Sequence, residues 1–428
     1  MGGAAGHMAH LHEDLDLTFN ELVSILNQVA SADIEVTEKV DGQNLFLSAR
    51  EQFDLSVNEF GEVEIRTARN PTDIKRGGMS PNEYAAKWKG HPAENAFMKG
   101  FQATRQAIDS LPQEDIIDIF DGGKSYVNME IMYPGNPNII DYGASYVVLH
   151  NLVSVDGGET SDSFARLKEA LNAAQVEVDG ETWGVYGPQV IPLNNIANGK
   201  AHKEAVGKIQ KLAKPVGMES TIGNLAEVYY RQLMLTEGIP ERAIDELIKI
   251  AFNKPGARKV NDVKKMAPNI KPLISKYGTK TNAKKVISVT LRPLENIIND
   301  FAIEVLRGIK SFFAVDHEGA IKKMRDELEE SIAYLENLAE AGDEKMGKLV
   351  DIQLAKLGNV ENVASSLEGV VFEKDGKIYK MTGAFAMANQ IIGRARRAKP
   401  RETETANESR IKVTKEQLKG LIGRLMLS

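Results

Sequence analysis

What most restricts the fold of this chain is a change of hydrophobic period part-way along it. Up to about residue 195, short runs alternate apolar and polar positions or are β-branched throughout. "ADIEVT", "NLFLSAR", "FDLSVN", "SYVNMEIMYP" and "SYVVLHNLV" read as strands, and "EFGEVEIRTARN" as a Gly-containing turn followed by another. Helical spacing intrudes at residues 18–30 and 94–111. Over residues 197–354 the period becomes helical, as in "NLAEVYYRQLMLTEG", "ERAIDELIKIAF" and "AIKKMRDELEESIAYLENLAEA", with breaks at "NKPGARK", "APNIKP" and "EAGDE". Only "KVISVTL" keeps a strand signal there. Strands return in "EGVVFEKDGKIYKMTG", whose "DGK" reads as a hairpin turn. The pattern predicts an α+β fold of largely antiparallel sheet, residues 11–196 and 355–392, with residues 197–354 as a large helical insert. The small-residue leader is set aside as an expression scar, residues 1–10. Residues 393–428 read as a basic linker and a C-terminal helix entered at Thr414.

At 428 residues the chain is long enough for two or three domains. It has no apolar run of membrane-spanning length, so no membrane association is expected. The absence of cysteine removes disulfides, thiolate nucleophiles and cysteine-ligated zinc, and fits a reducing cytoplasm. The histidines show no H-E-x-x-H spacing. A net charge of −7 conceals a strongly basic stretch between Lys254 and Arg292, in which Asp262 is the only acid. "GRARRAKPR" is a second basic cluster. Such clusters are either solvated faces or the footprint of a polyanion. On the second reading, Lys264, Lys265, Lys284, Lys285, Arg394, Arg396 and Arg397 are the candidate nucleic-acid contacts.

"EKVDGQN", residues 38–44, follows a strand, where a nucleophilic lysine or a plain Asp-Gly turn are both at home. Its company favours chemistry. Arg50 lies down the next strand, and Arg66 and Arg69 lie in "RTARN". Glu130 sits inside an apolar strand, Glu368 heads another, and Lys377 and Lys380 lie on the last hairpin. In this order "EKVDGQN", "RTARN", "NMEIMYP", "YVVLHNL", "EGVV" and "KIYK" resemble motifs I, Ia, III, IIIa, IV and V of the covalent nucleotidyltransferase superfamily. That superfamily contains ATP-dependent DNA ligases, RNA ligases and capping enzymes. The chain is most similar to the RNA ligase 2-like branch, in which motif I ends in asparagine, as at Asn44. The resemblance covers roughly residues 18–195 and 355–392.

The resemblance implies an ATP-grasp-like ligase core and an ATP-dependent polynucleotide ligase, with RNA favoured and a DNA or mixed RNA/DNA nick ligase as the alternative. A catalytically inactive nucleic-acid-binding protein on the same scaffold is the reading from another class. Lys39 would attack the α-phosphate of ATP and carry AMP to a 5′-phosphate for joining to a 3′-hydroxyl. An end-processing enzyme is a further partner such chemistry can require. A free lysine, with a pKa of about 10.4, is almost wholly protonated at neutral pH, so Lys377, Lys380 and a metal are expected to lower it. Glu130, Glu368 and Asp41 would hold Mg²⁺ or Mn²⁺. Glu38 would meet the adenine edge and Gly42 would admit the nucleotide. Arg50 and Arg69 would neutralise phosphate, and His150 would stand where the family places a base-stacking aromatic. "KIYK" spaces its lysines one residue wider than usual, so either Lys377 or Lys380 could reach the α-phosphate. Too few residues follow Lys380 for the OB barrel of DNA ligases, which makes the insert the candidate clamp. The expected location is cytoplasmic, that of the host cell if the source is viral.

Overall fold

A computed structural model describes residues 8–54, 59–158 and 160–399. Its strands are β1 (Ala9–His10), β2 (Thr37–Lys39), β3 (Gln43–Asp54), β4 (Glu59–Ala68), β5 (Ser125–Met132), β6 (Ser145–Ser154), β7 (Ala174–Val178), β8 (Glu181–Tyr186), β9 (Gly369–Lys374) and β10 (Lys377–Met381). They form a four-stranded sheet, β1-β10-β9-β2, and a six-stranded sheet, β4-β3-β5-β6-β8-β7. Within them only β1 with β10 and β6 with β8 pair parallel, so the fold is α+β with largely antiparallel sheets, as the alternation predicts. The "DGK" hairpin turn forms between β9 and β10, with Asp375 and Gly376 at φ of 52° and 74°, the left-handed pair such a turn needs.

Local rules account for the helix Phe19–Ser31. Thr18 caps it by accepting from the Glu21 N–H, and Glu21 reaches back to the Thr18 N–H. Leu22, Ile25, Leu26 and Val29 then bury one face. Four expectations fail elsewhere. "KVISVTL" belongs to the helix Lys280–Thr290, where Thr279 accepts from Asn282 and Ile287 is buried; capping and packing override the β-branched residues. Gly61 lies within β4 and not in a turn. Ala9 and His10, assigned to the leader, pair with Tyr379 and Lys380 and close an edge of the four-stranded sheet. "GRARRA" continues the helix Gly383–Ala398 and is not a linker. The helix expected from Thr414 lies outside the described residues, as do residues 1–7.

The helical insert shares its cores with both sheets. Its Ile209, Leu225 and Tyr230 belong to one apolar cluster with Leu22 of the first helix and Val370 and Tyr379 of the four-stranded sheet. Its Phe313, Met324 and Val350 belong to another with Val40, Met132 and Val148. A third cluster seals the six-stranded sheet against the helix Glu94–Asp109. No helix among the described residues is long and apolar enough to cross a membrane.

Gly369 sits where β9 lies opposite Lys39 of β2, and a Cβ there would come within 2.2 Å of the Met381 carbonyl oxygen and 2.8 Å of the Thr382 Cα. Backbone atoms cannot yield as a flexible side chain can. Gly369→Ala is therefore expected to destabilise the fold by about 1–3 kcal/mol, read as a lower urea midpoint at unchanged slope.

Candidate active site between the two sheets

The segment "EKVDGQN" carries the chain from one sheet to the other. β2 ends at Lys39 in the four-stranded sheet, and β3 begins at Gln43 in the six-stranded one. Each residue of the crossing is fixed. Val40 is fully buried, the Asp41 N–H donates to Tyr142 Oη at 2.7 Å, and the Asp41 carboxylate accepts from Ile139 N at 2.6 Å, Ile140 N at 2.8 Å and Asn138 Nδ2. Gly42 is required by proximity: a Cβ would lie 2.8 Å from the Ile131 carbonyl and 3.1 Å from the Glu130 Cβ. The Asp-Gly pair therefore welds two sheets together and is not an ordinary surface turn.

Lys39 Nζ donates to Glu368 Oε2 at 2.6 Å, and both side chains are nearly buried. Glu130 and Asp41 add negative charge around them. Burial alone would lower the Lys39 pKa, but the carboxylates of Glu368, Glu130 and Asp41 outweigh it and hold the ammonium above the ordinary lysine range. Burial raises Asp41 to about 6 against the opposing N–H groups of Ile140 and Ile139. Burial likewise raises Glu368, helped by Asp41 and Glu130 and opposed by Lys39. For Glu130 burial is outweighed by Lys39, His150 and the Gly42 N–H, which bring it below the usual carboxylate value. Lys380 is lowered by burial and then by Lys39. The structure thus separates the two lysines of "KIYK". On β10, Lys380 leaves the face opposite Tyr379 and Met381 and faces Lys39, whereas Lys377 is half exposed and donates to Asp14 Oδ2 at 2.8 Å.

Other expected residues are differently placed. Arg50 lies six positions beyond Asn44 on β3, about 20 Å along the strand, and is paired with Glu64 at 2.9 Å. Arg66 is spent on Glu64 and the carbonyls of Gly77 and Gly78. Arg69 stands over the ring of Phe97, 4.6 Å from its centroid, on the opposite face of the sheet among the residues packed against the helix Glu94–Asp109. His150 occupies the β6 position left over by a register shift against β5, with Nε2 3.6 Å from Glu130 Oε2. Asn44 pairs across β3 and β5 with Glu130 and donates to Asn128 Oδ1 at 2.7 Å. Arg396 is committed to Glu327 and the Asn138 carbonyl, Arg394 lies against the Met346 sulfur, and Lys265 pairs with Asp262 at 3.0 Å. Lys264, Lys284, Lys285 and Arg397 have no ion pair among the described residues.

The metal set also needs revision. No group of three histidine or acidic side chains among the described residues could hold a metal ion, and the Asp41 carboxylate already accepts three hydrogen bonds. Glu130 Oε2 is buried with no hydrogen-bond partner among the described residues, and Glu368 Oε2 accepts from Lys39. Glu38 leaves β2 on the face opposite Lys39; its carboxylate accepts from the Ser311 hydroxyl and from Phe312 N at 2.7 Å. These two insert residues, with Tyr142 and Asn138, were invisible to motif reading. The sole trace is the apolar run "SFFAV" between two helical patterns.

Burial raises the Glu38 pKa to about 7 despite its bonds to Ser311 and Phe312. A carboxyl raised in the folded state stabilises fully below its unfolded value near 4.5, and that contribution is lost as pH climbs to about 7. Glu38→Gln removes the term. Relative to the unsubstituted protein it is expected to gain stability between pH 5 and pH 7.5, by up to about 3 kcal/mol, in melts at the two pH values.

No family model matches the chain, and neither a curated protein nor a solved structure does.

Proposed function

We propose that the chain is an ATP-dependent polynucleotide ligase working through a covalent lysyl-AMP, with RNA ends as the favoured substrate on the resemblance of the motif closed by Asn44. The observation that carries this is the Lys39–Glu368 pair at 2.6 Å, nearly buried at the end of a strand and flanked by Glu130 and Lys380. A structural lysine has no need of three buried carboxylates around it. A nucleophilic one needs an acceptor for its proton, and Glu368 Oε2 already receives its hydrogen bond.

In the first step the Lys39 ammonium gives a proton to Glu368, its nitrogen bonds to the α-phosphorus, and the bond to pyrophosphate breaks. The 5′-phosphate of a strand then displaces Lys39, which regains a proton, and the 3′-hydroxyl of the other strand finally expels AMP. Lys380 faces the same space and supplies positive charge toward the phosphate. Glu130 would hold a divalent ion, whose charge would offset the carboxylates and leave Glu368 free to take the Lys39 proton. Because Lys39 rests as a firmly held ammonium, adduct formation should rise with pH from 7 to 9.

The test is incubation with α-labelled ATP or GTP and Mg²⁺, followed by denaturing electrophoresis and intact mass. A label taken from ATP that survives denaturation and disappears in Lys39→Ala is the expected result. No adduct, in protein first stripped of AMP with pyrophosphate, would make an inactive nucleic-acid-binding scaffold the better reading.

Of the four lysines of the proposed clamp, Lys264, Lys284 and Lys285 have no ion pair among the described residues. Replacing all three by alanine is expected to weaken nucleic-acid binding and lower the slope of log K against log salt by roughly two to three, with adduct formation unchanged.

A further inference from the structure

Three carboxamides stand side by side on the face of the six-stranded sheet that carries Glu130. Asn44 pairs with Glu130 across β3 and β5, and Asn128, two positions from Glu130, leaves the same face. Asn151 joins them through the register shift in β6. A regular ladder would set His150 opposite Asn128, but the extra residue brings Asn151 there and leaves His150 against Glu130. Asn44 Nδ2 donates to Asn128 Oδ1 at 2.7 Å and to the Met129 carbonyl at 3.4 Å. Asn128 Nδ2 donates to Asn151 Oδ1 at 3.3 Å, and Asn151 Nδ2 to the Leu152 carbonyl at 3.4 Å.

The row has a fixed polarity. The oxygen and nitrogen of a carboxamide have nearly the same shape, so each amide could turn over if its neighbours allowed it. The Met129 and Leu152 carbonyls only accept, and a turned Asn44 would set its oxygen against the Met129 carbonyl and Asn128 Oδ1. Both Asn44 N–H groups are thus spent within the sheet. Its Oδ1 accepts from none of the described residues and is not sealed from solvent. Beside Glu130, whose charge acts on Lys39, Asn44 therefore offers lone pairs only. Such a group repels a phosphate oxygen and takes a donor. The donor-bearing group bonded directly to a strand phosphate is the ribose, with the base one ring farther. When a 3′-hydroxyl attacks, it gives up its own proton, and the 2′-hydroxyl beside it is the donor left to be held.

We propose that Asn128 and Asn151 are positioning residues that hold Asn44 with its oxygen outward, and that Asn44 Oδ1 accepts from the 2′-hydroxyl of the strand end whose 3′-hydroxyl attacks. The inference rests on the ligase reading, and it places the choice of RNA over DNA in the polarity of an amide row.

The experiment uses oligonucleotides ending in a ribonucleotide or in its 2′-deoxy counterpart, as competitors for binding and as substrates for sealing to a preadenylylated 5′ end. The full chain is compared with Asn128→Ala, Asn151→Ala and Asn151→Asp, and adduct formation from ATP and from 2′-deoxyATP is measured beside it. The readout is the ratio between the two ends, which a general loss of folded protein leaves unmoved. The unsubstituted protein is expected to favour the ribonucleotide end by about tenfold, and Asn128→Ala to lose most of that ratio through the ribonucleotide end alone. Asn151→Ala is expected to lose part of it, and Asn151→Asp, which still accepts from Asn128, to restore it. An equal loss on both ends, or an unchanged ratio in Asn128→Ala, with the unsubstituted protein forming its adduct, would overturn the proposal and leave the ligase reading intact. A row-dependent ratio in binding, with no adduct in any protein, would uphold the hold on the 2′-hydroxyl and remove the ligase reading. Discrimination confined to ATP against 2′-deoxyATP would assign Asn44 to the nucleotide and overturn the proposal.

Discussion

Everything near the candidate site depends on a three-residue passage between two sheets. Val40, Asp41 and Gly42 leave β2 and deliver the chain to β3 with no slack. The charge on Asp41 is not there for solvent: its oxygens gather two backbone N–H groups and the Asn138 amide into the gap, and Tyr142 receives the Asp41 N–H. Burying a carboxylate is costly unless such donors are supplied. Because they come from the segment between β5 and β6, the crossing also fixes where Glu130 stands relative to Lys39.

The electrostatics of the site are governed by a shortage of positive charge. Glu130, Glu368 and Asp41 surround one ammonium, with Lys380 as a further cation close enough to feel it. In a medium poorer than water at screening charge, like-charged carboxylates raise each other's affinity for protons or metal ions. This reverses the simple expectation that neighbouring lysines depress Lys39. The surrounding carboxylates hold Lys39 protonated.

How much of this was legible follows from what each signal encodes. Alternation and helical spacing reveal which face of an element is buried, so the sheet segments, the first helix and the β9–β10 hairpin were readable. They do not reveal which partner covers that face; thus the insert looked separable, although Phe313 and Met324 share a core with Val40 and Val148. Lys39, Glu130 and Glu368 stood out because charged residues in apolar strands are rare without a reason. Arg50 and Arg69 misled because membership of a strand gives a residue neither its distance from the site nor its face. His150 shows the same limit at a bulge, where a register shift alters the alternation. Tyr379 and Met381 could have assigned Lys380 in advance, since alternate positions on β10 must face opposite ways.

Lys39 and Glu368 are 329 positions apart, which bears on how the protein is made. A ribosome adding about 5–20 residues per second needs roughly 15 to 65 s to pass from one to the other. Throughout that interval β2 lacks β9, its ladder partner, and of its other strand contacts Thr37 has the bridge to Val190 once that residue is made. The six-stranded sheet, whose strands all precede residue 187, can form on the nascent chain, while the four-stranded one awaits the last hairpin. Lys39 therefore meets Glu368 only after 329 further residues have been added, whereas the carboxylates of Asp41 and Glu130 come from the part of the chain made first.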